Sequence, residues 1–136
     1  MANSLYGKYR QACLEGGGVA WLTDNIKAVL VDTGAYTVSI DVDQFLSDIP
    51  APARISTSAN LSGKTSTLGV ADANDPTFSA VTATSVEAVV LYQDTGVAAT
   101  SRLIAYIDTG AGLPLTTNGG DVTLVFDNGA NKIFKL

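Results

Sequence analysis

Apolar residues along the chain follow the two-residue period of β-strands more often than the period of helices. Residues 25–32, NIKAVLVD, are apolar on both faces, which predicts a buried central strand. Residues 36–42 and 54–61 alternate apolar and polar side chains, as strands with one solvated face do. Residues 86–92 and 102–108 are further apolar strands. In total, about eight short strands are expected.

Two turn signals predict β-hairpins. Ser62-Gly63 lies between residues 54–61 and residues 64–70, so these two segments are expected to pair. Asn128-Gly129 lies inside residues 121–136 and predicts a second hairpin at the C-terminal end of the sequence.

The N-terminal segment has helical spacing instead. Ser4 is a suitable N-cap, and three glycines at 16–18 end the helix after about three turns. One apolar stripe runs along it, made of Leu5, Tyr9, Ala12 and Cys13. A helix this short is marginal alone in water, so it docks either on the chain's own body or on a partner. Residues 1–18 are therefore interpreted as a helix or arm with a glycine linker, and residues 19–136 as a single β domain.

Composition agrees with a mainly β fold. Of 136 residues, 46% are hydrophobic and 15% charged, and 15 Thr plus 10 Ser give 25 hydroxyl side chains. Charged residues are scarcer than in a typical globular domain, so hydroxyl groups must cover much of the surface. The long helices of parallel α/β folds are absent from the pattern. The expected fold is an antiparallel β-sandwich or barrel with a short N-terminal helix.

Charge and residue types exclude several function classes. The net charge is −5 and the basic residues are scattered, which argues against nucleic-acid binding. The chain has no histidine, so His-dependent nucleophiles and His-based metal sites are excluded, and Cys13 is its single cysteine. No cofactor motif is present. The sequence has no apolar stretch long enough for a membrane span, and no signal peptide is expected in residues 1–18.

One motif does point to an enzyme. Residues 29–35, VLVDTGA, resemble the catalytic loop of retroviral-type aspartic proteases over those seven residues. In that chemistry two D-T-G loops bring two carboxylates together to share a proton. Here the motif recurs after four strands, beginning at Asp32, Asp94, Asp108 and, as D-N-G, at Asp127.

The recurrence favours a structural explanation. An aspartate at the end of a strand accepts a backbone hydrogen bond, and the glycine two positions later closes the turn. A protease of this size needs one copy per subunit, so four copies favour turns, and no catalytic residue is predicted.

Taken as a whole, the chain resembles small virion structural proteins of tailed bacteriophages. The residues that carry the resemblance are 21–37 (WLTDNIKAVLVDTGAYT), 43–55 (DQFLSDIPAPARI) and 103–136, which begin with LIAYIDTGAG. The resemblance extends over most of the chain from Leu5 onward. It concerns the overall residue pattern and the order of the segments.

The resemblance implies a non-enzymatic function. The expected role is capsid decoration, in which a cement protein binds the major capsid protein as a homo-oligomer, often a trimer, and a trimer is favoured here. The protein would be assembled into virions in the host cytoplasm. A tail, baseplate or fibre component is the structural alternative, an aspartic protease is the enzymatic one, and carbohydrate binding near Trp21 is a third.

A decoration protein needs a surface that reaches a neighbour. If the N-terminal segment is an arm, the expected contact residues are Leu5, Tyr6, Tyr9 and Cys13, because aromatic anchors dominate many interfaces. The loops at residues 95–101 and 109–120 are the alternative contact.

Overall fold

The computed structural model describes residues 3–82, 84–109, 113, 115–127 and 129–136. In this part of the chain it has twelve β-strands, one α-helix and two 3-10 helices. The helix α1 spans Gly7–Leu14, and the 3-10 helices span Leu46–Asp48 and Ala51–Ala53. The strands are β1 (Ser4–Leu5), β2 (Ile26–Val31), β3 (Arg54–Thr57), β4 (Thr65–Thr67), β5 (Val70–Asp72), β6 (Thr77–Phe78), β7 (Ser85–Val86), β8 (Ala88–Gln93), β9 (Leu103–Ile107), β10 (Leu115–Thr116), β11 (Val122–Thr123) and β12 (Phe134–Lys135).

Five strands form the main sheet, in the order β1-β9-β8-β2-β3, and all neighbours are antiparallel. The predicted mainly β fold, with antiparallel strands and a helix near the N-terminus, is confirmed. β2 lies between β8 and β3, so the predicted central position of residues 25–32 is also confirmed. The described strands do not close into a barrel. Smaller sheets surround the main one, in the orders β12-β5-β4, β11-β6 and β10-β7.

Both faces of the main sheet are covered. Residues that oppose each other in register share a face, which places Ala28, Leu91 and Ala105 on one side and Val29 and Val90 on the other. All five are at most 3% exposed. A strand that is buried on both faces needs apolar residues at consecutive positions, and this is why the central strands have continuous apolar runs.

The predicted strand at residues 36–42 is wrong. Its side chains do alternate between more and less buried positions up to residue 41, but no partner strand lies beside it among the described residues. The Asp43 carboxylate accepts the Ser39 N–H at 2.9 Å, and the Asp43 N–H donates to the Ser39 carbonyl at 2.8 Å. These local bonds turn the chain and replace strand pairing.

The hairpin predicted at Ser62-Gly63 is also wrong. β3 pairs with β2, and the chain after it stays beside β2, since the Leu61 N–H donates to the Ile26 carbonyl at 2.7 Å. The hairpin forms one segment later, between β4 and β5. Its turn uses Leu68 and Gly69, whose φ angles of 53° and 81° suit a tight two-residue turn.

The predicted C-terminal hairpin does not form either. β11 pairs with β6, where Val122 opposes Phe78, and β12 pairs with β5, where Phe134 opposes Ala71. Asn128, half of the proposed turn, lies outside the described residues.

The N-terminal segment begins as a strand. Ser4 belongs to β1 and opposes Tyr106 of β9, so the prediction that it caps the helix is wrong. The predicted helix is present but starts later, at Gly7. It ends at the glycines as expected, because Gly16 has a φ of 80° and the Gly17 N–H donates to the Ala12 carbonyl at 2.9 Å.

Candidate interaction site

The N-terminal segment is docked on the chain's own body. Tyr6 and Tyr9 are 0% and 2% exposed, whereas Leu5 and Cys13 are half-buried and pack against the core. Gly7 approaches Asp41 so closely that a Cβ at this position would collide with the Asp41 carboxylate. While the segment stays docked, the two tyrosines are covered. The predicted contact of these four residues with a partner remains a prediction.

A buried chain of hydroxyl groups fixes this docking. The Tyr36 hydroxyl donates to the Asp43 carboxylate at 2.6 Å and lies 3.0 Å from the Tyr6 hydroxyl. Since the single proton of Tyr36 is used on Asp43, Tyr6 is the donor in the second bond. Burial raises the pKa values of Tyr6 and Tyr36 well above the ordinary tyrosine range, and the negative charge of Asp43 also raises both. Both phenols therefore stay neutral and keep their hydrogen bonds.

An aromatic cluster connects the helix to the C-terminal residues. The Phe134 ring meets Tyr9 and Trp21 edge-on, with centroid distances of 6.2 Å and 5.3 Å. The Trp21 indole N–H donates to the Asp72 carbonyl at 3.2 Å. Trp21 is only 8% exposed, so it is a core residue in this structure and offers little surface to a sugar ring.

A groove of about 1090 Å³ runs between the N-terminal strand and the C-terminal residues. One wall is Asn3 and β1 with residues 105–107 and 109, and the other is residue 123, residues 125–127 and residues 131–135. We call it the two-edge groove, because β1 ends the main sheet and β12 ends a smaller one.

Both edges carry backbone groups that face away from their own sheets. In β1 the Tyr6 N–H donates to the Ile104 carbonyl at 2.9 Å, so by alternation the N–H and carbonyl of Leu5 point away from β9. In β12 the Leu136 N–H donates to the Gly69 carbonyl at 3.0 Å, so the same groups of Lys135 point away from β5. Such groups are ready to pair with another extended chain.

The C-terminal wall is positively charged. Lys132 and Lys135 line the groove, and no ion pair engages either of them in the described part of the chain. The one carboxylate in the lining, Asp127, accepts the Gly129 N–H at 3.2 Å. The chain as a whole is acidic, with a net charge of −5. The groove is thus a local exception to the overall charge.

Sequence reasoning missed this groove. Its walls combine residues from segments 3–5 and 105–109 with residues from segments 123–127 and 131–135, and no motif connects these segments. The only available signal was the pair of lysines near the C-terminal end of the sequence. This pair indicates a binding site only once the fold has placed β1 opposite it.

The D-[TN]-G motifs form turns. Asp32, Asp94 and Asp127 each accept the N–H of the glycine two positions later, at 2.8, 3.0 and 3.2 Å. The same geometry recurs at Asn118, which accepts the Gly120 N–H at 3.0 Å. The fourth motif begins at Asp108, but its glycine lies outside the described residues.

Two of the copies lie too far apart to act together. Ile26 opposes Gln93 and Val31 opposes Ala88, so Asp32 and Asp94 follow opposite ends of the β2–β8 pair. Six residues of extended strand separate them by about 20 Å. Carboxylates that share a proton must be in direct contact, so Asp32 and Asp94 of one chain cannot form a protease dyad.

The loop at residues 95–101 is held by its own side chains. The Ser101 hydroxyl donates to the Val97 carbonyl at 2.8 Å and accepts the Thr95 N–H at 3.1 Å. Val97 is 56% exposed at its tip. The other predicted contact loop, 109–120, includes residues 110–112 and 114, which lie outside the described part.

Other site types find no support in the described ranges. Their Cys, Asp and Glu side chains form no group of three or more that could hold a metal ion. Their helices are all too short or too polar to cross a membrane. Comparison of the chain with protein-family models and with curated proteins gives no match.

Proposed function

We propose that the chain is a non-enzymatic structural protein of a tailed-bacteriophage virion and serves as a capsid decoration protein. In this role it binds the major capsid protein as a homo-oligomer, with a trimer favoured. The virion setting is supported by the resemblance of residues 21–37, 43–55 and 103–136. The binding role is supported by one structural observation, the groove of about 1090 Å³ between two open strand edges.

Strand edges suit this role for a physical reason. An exposed edge presents a row of unpaired N–H and carbonyl groups, so proteins usually shorten or cover it unless another chain pairs with it. A cement protein must hold its neighbours without covalent bonds. Main-chain pairing at β1 and β12 provides hydrogen bonds through the outward N–H and carbonyl groups of Leu5 and Lys135, and the sheet behind each strand keeps its edge in place.

The aspartates of the turns support a non-enzymatic role. Asp32, Asp94 and Asp127 each hold the N–H that closes their own turn. A carboxylate in this position performs the structural task of stabilising the turn that follows the strand.

The docked N-terminal segment refines the predicted contact. Undocking would break the Tyr6–Tyr36 hydrogen bond and expose the buried Tyr9 ring to water. Leu5 is different, because it lines the groove while the segment stays docked. In this proposal the segment stays on the body, and Leu5 is the member of the predicted set that meets the partner.

The direct test is reconstitution on the shell. Particles assembled without the chain are mixed with the purified protein, sedimented and quantified. Saturable binding at a near-stoichiometric ratio to the major capsid protein is expected. Binding of only a few copies per particle would move the protein to the tail or baseplate, and absence of binding would overturn the virion role.

A further inference from the structure

We propose that the two-edge groove binds an extended, acidic segment of a partner protein, which pairs through its main chain with β1 and through its carboxylates with Lys132 and Lys135. This inference rests on the proposed function, because it names the part of the partner that the groove receives. It commits to an acidic strand, and a neutral or basic strand is a different outcome of the test.

The β1 side of the groove supplies the main-chain contacts. The Leu5 N–H and carbonyl point away from β9, and Leu5 itself lines the groove. Within the described residues, the one side-chain bond to that carbonyl comes from the Ser4 hydroxyl and is long, at 3.4 Å. An incoming strand offers a closer donor to the same carbonyl and an acceptor for the N–H. Strand addition at β1 therefore adds hydrogen bonds without breaking the pairing with β9.

The length of β1 sets a limit on this pairing. The strand has only two residues, whereas β9 beside it has five, so β9 extends past the end of β1. Ile107 lies one position past this pairing and lines the groove together with Ala105 and Tyr106, which oppose Leu5 and Ser4 of β1. A partner strand of several residues can bury the apolar side chains that line the groove here. This burial stabilises the complex beyond what main-chain pairing with a two-residue strand provides.

The opposite wall selects the charge of the occupant. Lys132 and Lys135 lie three positions apart in the groove lining, and neither has an ion partner among the described residues. The one carboxylate in this wall, Asp127, offsets only one of the two positive charges and forms no ion pair with either lysine. Carboxylates on an incoming strand would pair with these two ammonium groups, whereas a lysine-rich strand would be repelled.

The experiment uses the full chain labelled with ¹⁵N and a synthetic probe, the heptapeptide Thr-Val-Asp-Val-Glu-Val-Thr. Two matched probes separate the two kinds of contact. In one, lysines replace both acidic residues, and in the other, N-methyl groups block the main-chain donors while the charges remain. Amide chemical shifts report where each peptide binds and how tightly.

The acidic peptide is expected to shift the amide signals of Leu5, Lys132 and Lys135. Its affinity should fall about fivefold or more with the lysine probe and with the double variant K132E/K135E, as expected for the loss of two partly exposed charge pairs. The N-methylated probe should also bind more weakly. Lys8→Glu is the control, since Lys8 lies outside the groove lining and should leave binding unchanged.

Three results would overturn the inference: no shifts up to millimolar peptide, shifts centred outside the groove, or equal affinity for the acidic and lysine probes. Its failure is distinct from failure of the virion role. A chain that binds particles but not the acidic peptide refutes the groove assignment alone, whereas a chain that binds the peptide but not particles refutes the virion role alone.

Discussion

The three central strands and the outer strands of this protein are built in opposite ways. β2 and β8 have six residues and β9 has five, and nearly all of their side chains are buried. The outer strands have two to four residues, and in β4 every side chain is exposed. Stability therefore concentrates in the centre, while the outer strands shape the surface that a partner meets. The two-edge groove lies entirely in the outer region except where β9 reaches its wall.

The largest expected effect comes from truncating a central side chain. Leu91 in β8 is 0% exposed, so Leu91→Ala should lower the free energy of unfolding by about 2–5 kcal/mol through lost burial and a new cavity. Leu68 in the outer β4–β5 turn is 91% exposed, and Leu68→Ala should change it by less than about 0.5 kcal/mol. Chemical denaturation measures both. Similar losses of unfolding free energy at Leu91 and Leu68 would refute the contrast between the central and outer strands.

The next effect tests the bond between the N-terminal segment and the body. Tyr36→Phe removes the hydroxyl between Tyr6 and Asp43 and leaves a buried phenol without its acceptor, which should cost about 1–3 kcal/mol of unfolding free energy. The double variant with Tyr6→Phe should cost less than the sum of the single variants, because the two hydroxyls act as one unit. Additive effects would mean that this chain of bonds does not anchor the segment.

A smaller effect is expected from the ion pair between Lys27 in β2 and Asp94, the residue that follows β8. Lys27 Nζ lies 2.9 Å from an Asp94 carboxylate oxygen, and the lysine together with the Gly96 N–H lowers the pKa of Asp94 below its ordinary value of 3.8. A carboxyl with a lowered pKa stabilises the folded state fully above its unfolded value, and this contribution is lost as the pH falls through the folded value. Asp94→Asn should therefore cost about 1 kcal/mol at neutral pH.

The same variant should also flatten the loss of stability between pH 4 and pH 2, the window below the ordinary pKa of 3.8. Unfolding curves across that range measure it. An unchanged acid profile in Asp94→Asn would show that this pair does not contribute.

The smallest effect distinguishes a turn from a catalytic site. Asp32→Asn keeps an oxygen that can accept the Gly34 N–H, so the free energy of unfolding should stay within about 0.5 kcal/mol. Asp32→Ala removes the acceptor and should cost about 0.5–1.5 kcal/mol. Peptidase activity in the unsubstituted chain that disappears in Asp32→Asn, with folding unchanged, would contradict the structural role of this residue.

The central strands could be predicted because their sequence determines them directly. Residues 25–32, 86–92 and 102–108 are short, mostly apolar runs rich in Val, Ile and Leu, a pattern typical of strands covered on both faces. The outer strands could not be predicted. A pairing of two residues, such as Val122 with Phe78, depends on where the centre places the two segments, and local preference has little influence on it.

The wrong hairpins have the same origin. Ser62-Gly63 is a good turn signal, but pairing with β2 kept the preceding segment in the main sheet. The actual turn places Leu68 at a positive φ, which its residue type disfavours. Residues 36–42 do have an alternating pattern, but the Ser39 N–H donates to the Asp43 carboxylate and is therefore not available for pairing with another strand. The groove could not be predicted for the same reason, because it forms between two such outer strands.

The central claim is that the chain is a structural component of a virion shell. Quantitative mass spectrometry on purified particles, with the chain normalised to the major capsid protein, tests it most directly. A near-stoichiometric ratio, corresponding to hundreds of copies per particle, is the result predicted for a decoration protein. Some tens of copies or fewer would contradict the shell position in favour of the tail or baseplate, and absence from particles would contradict the virion role altogether.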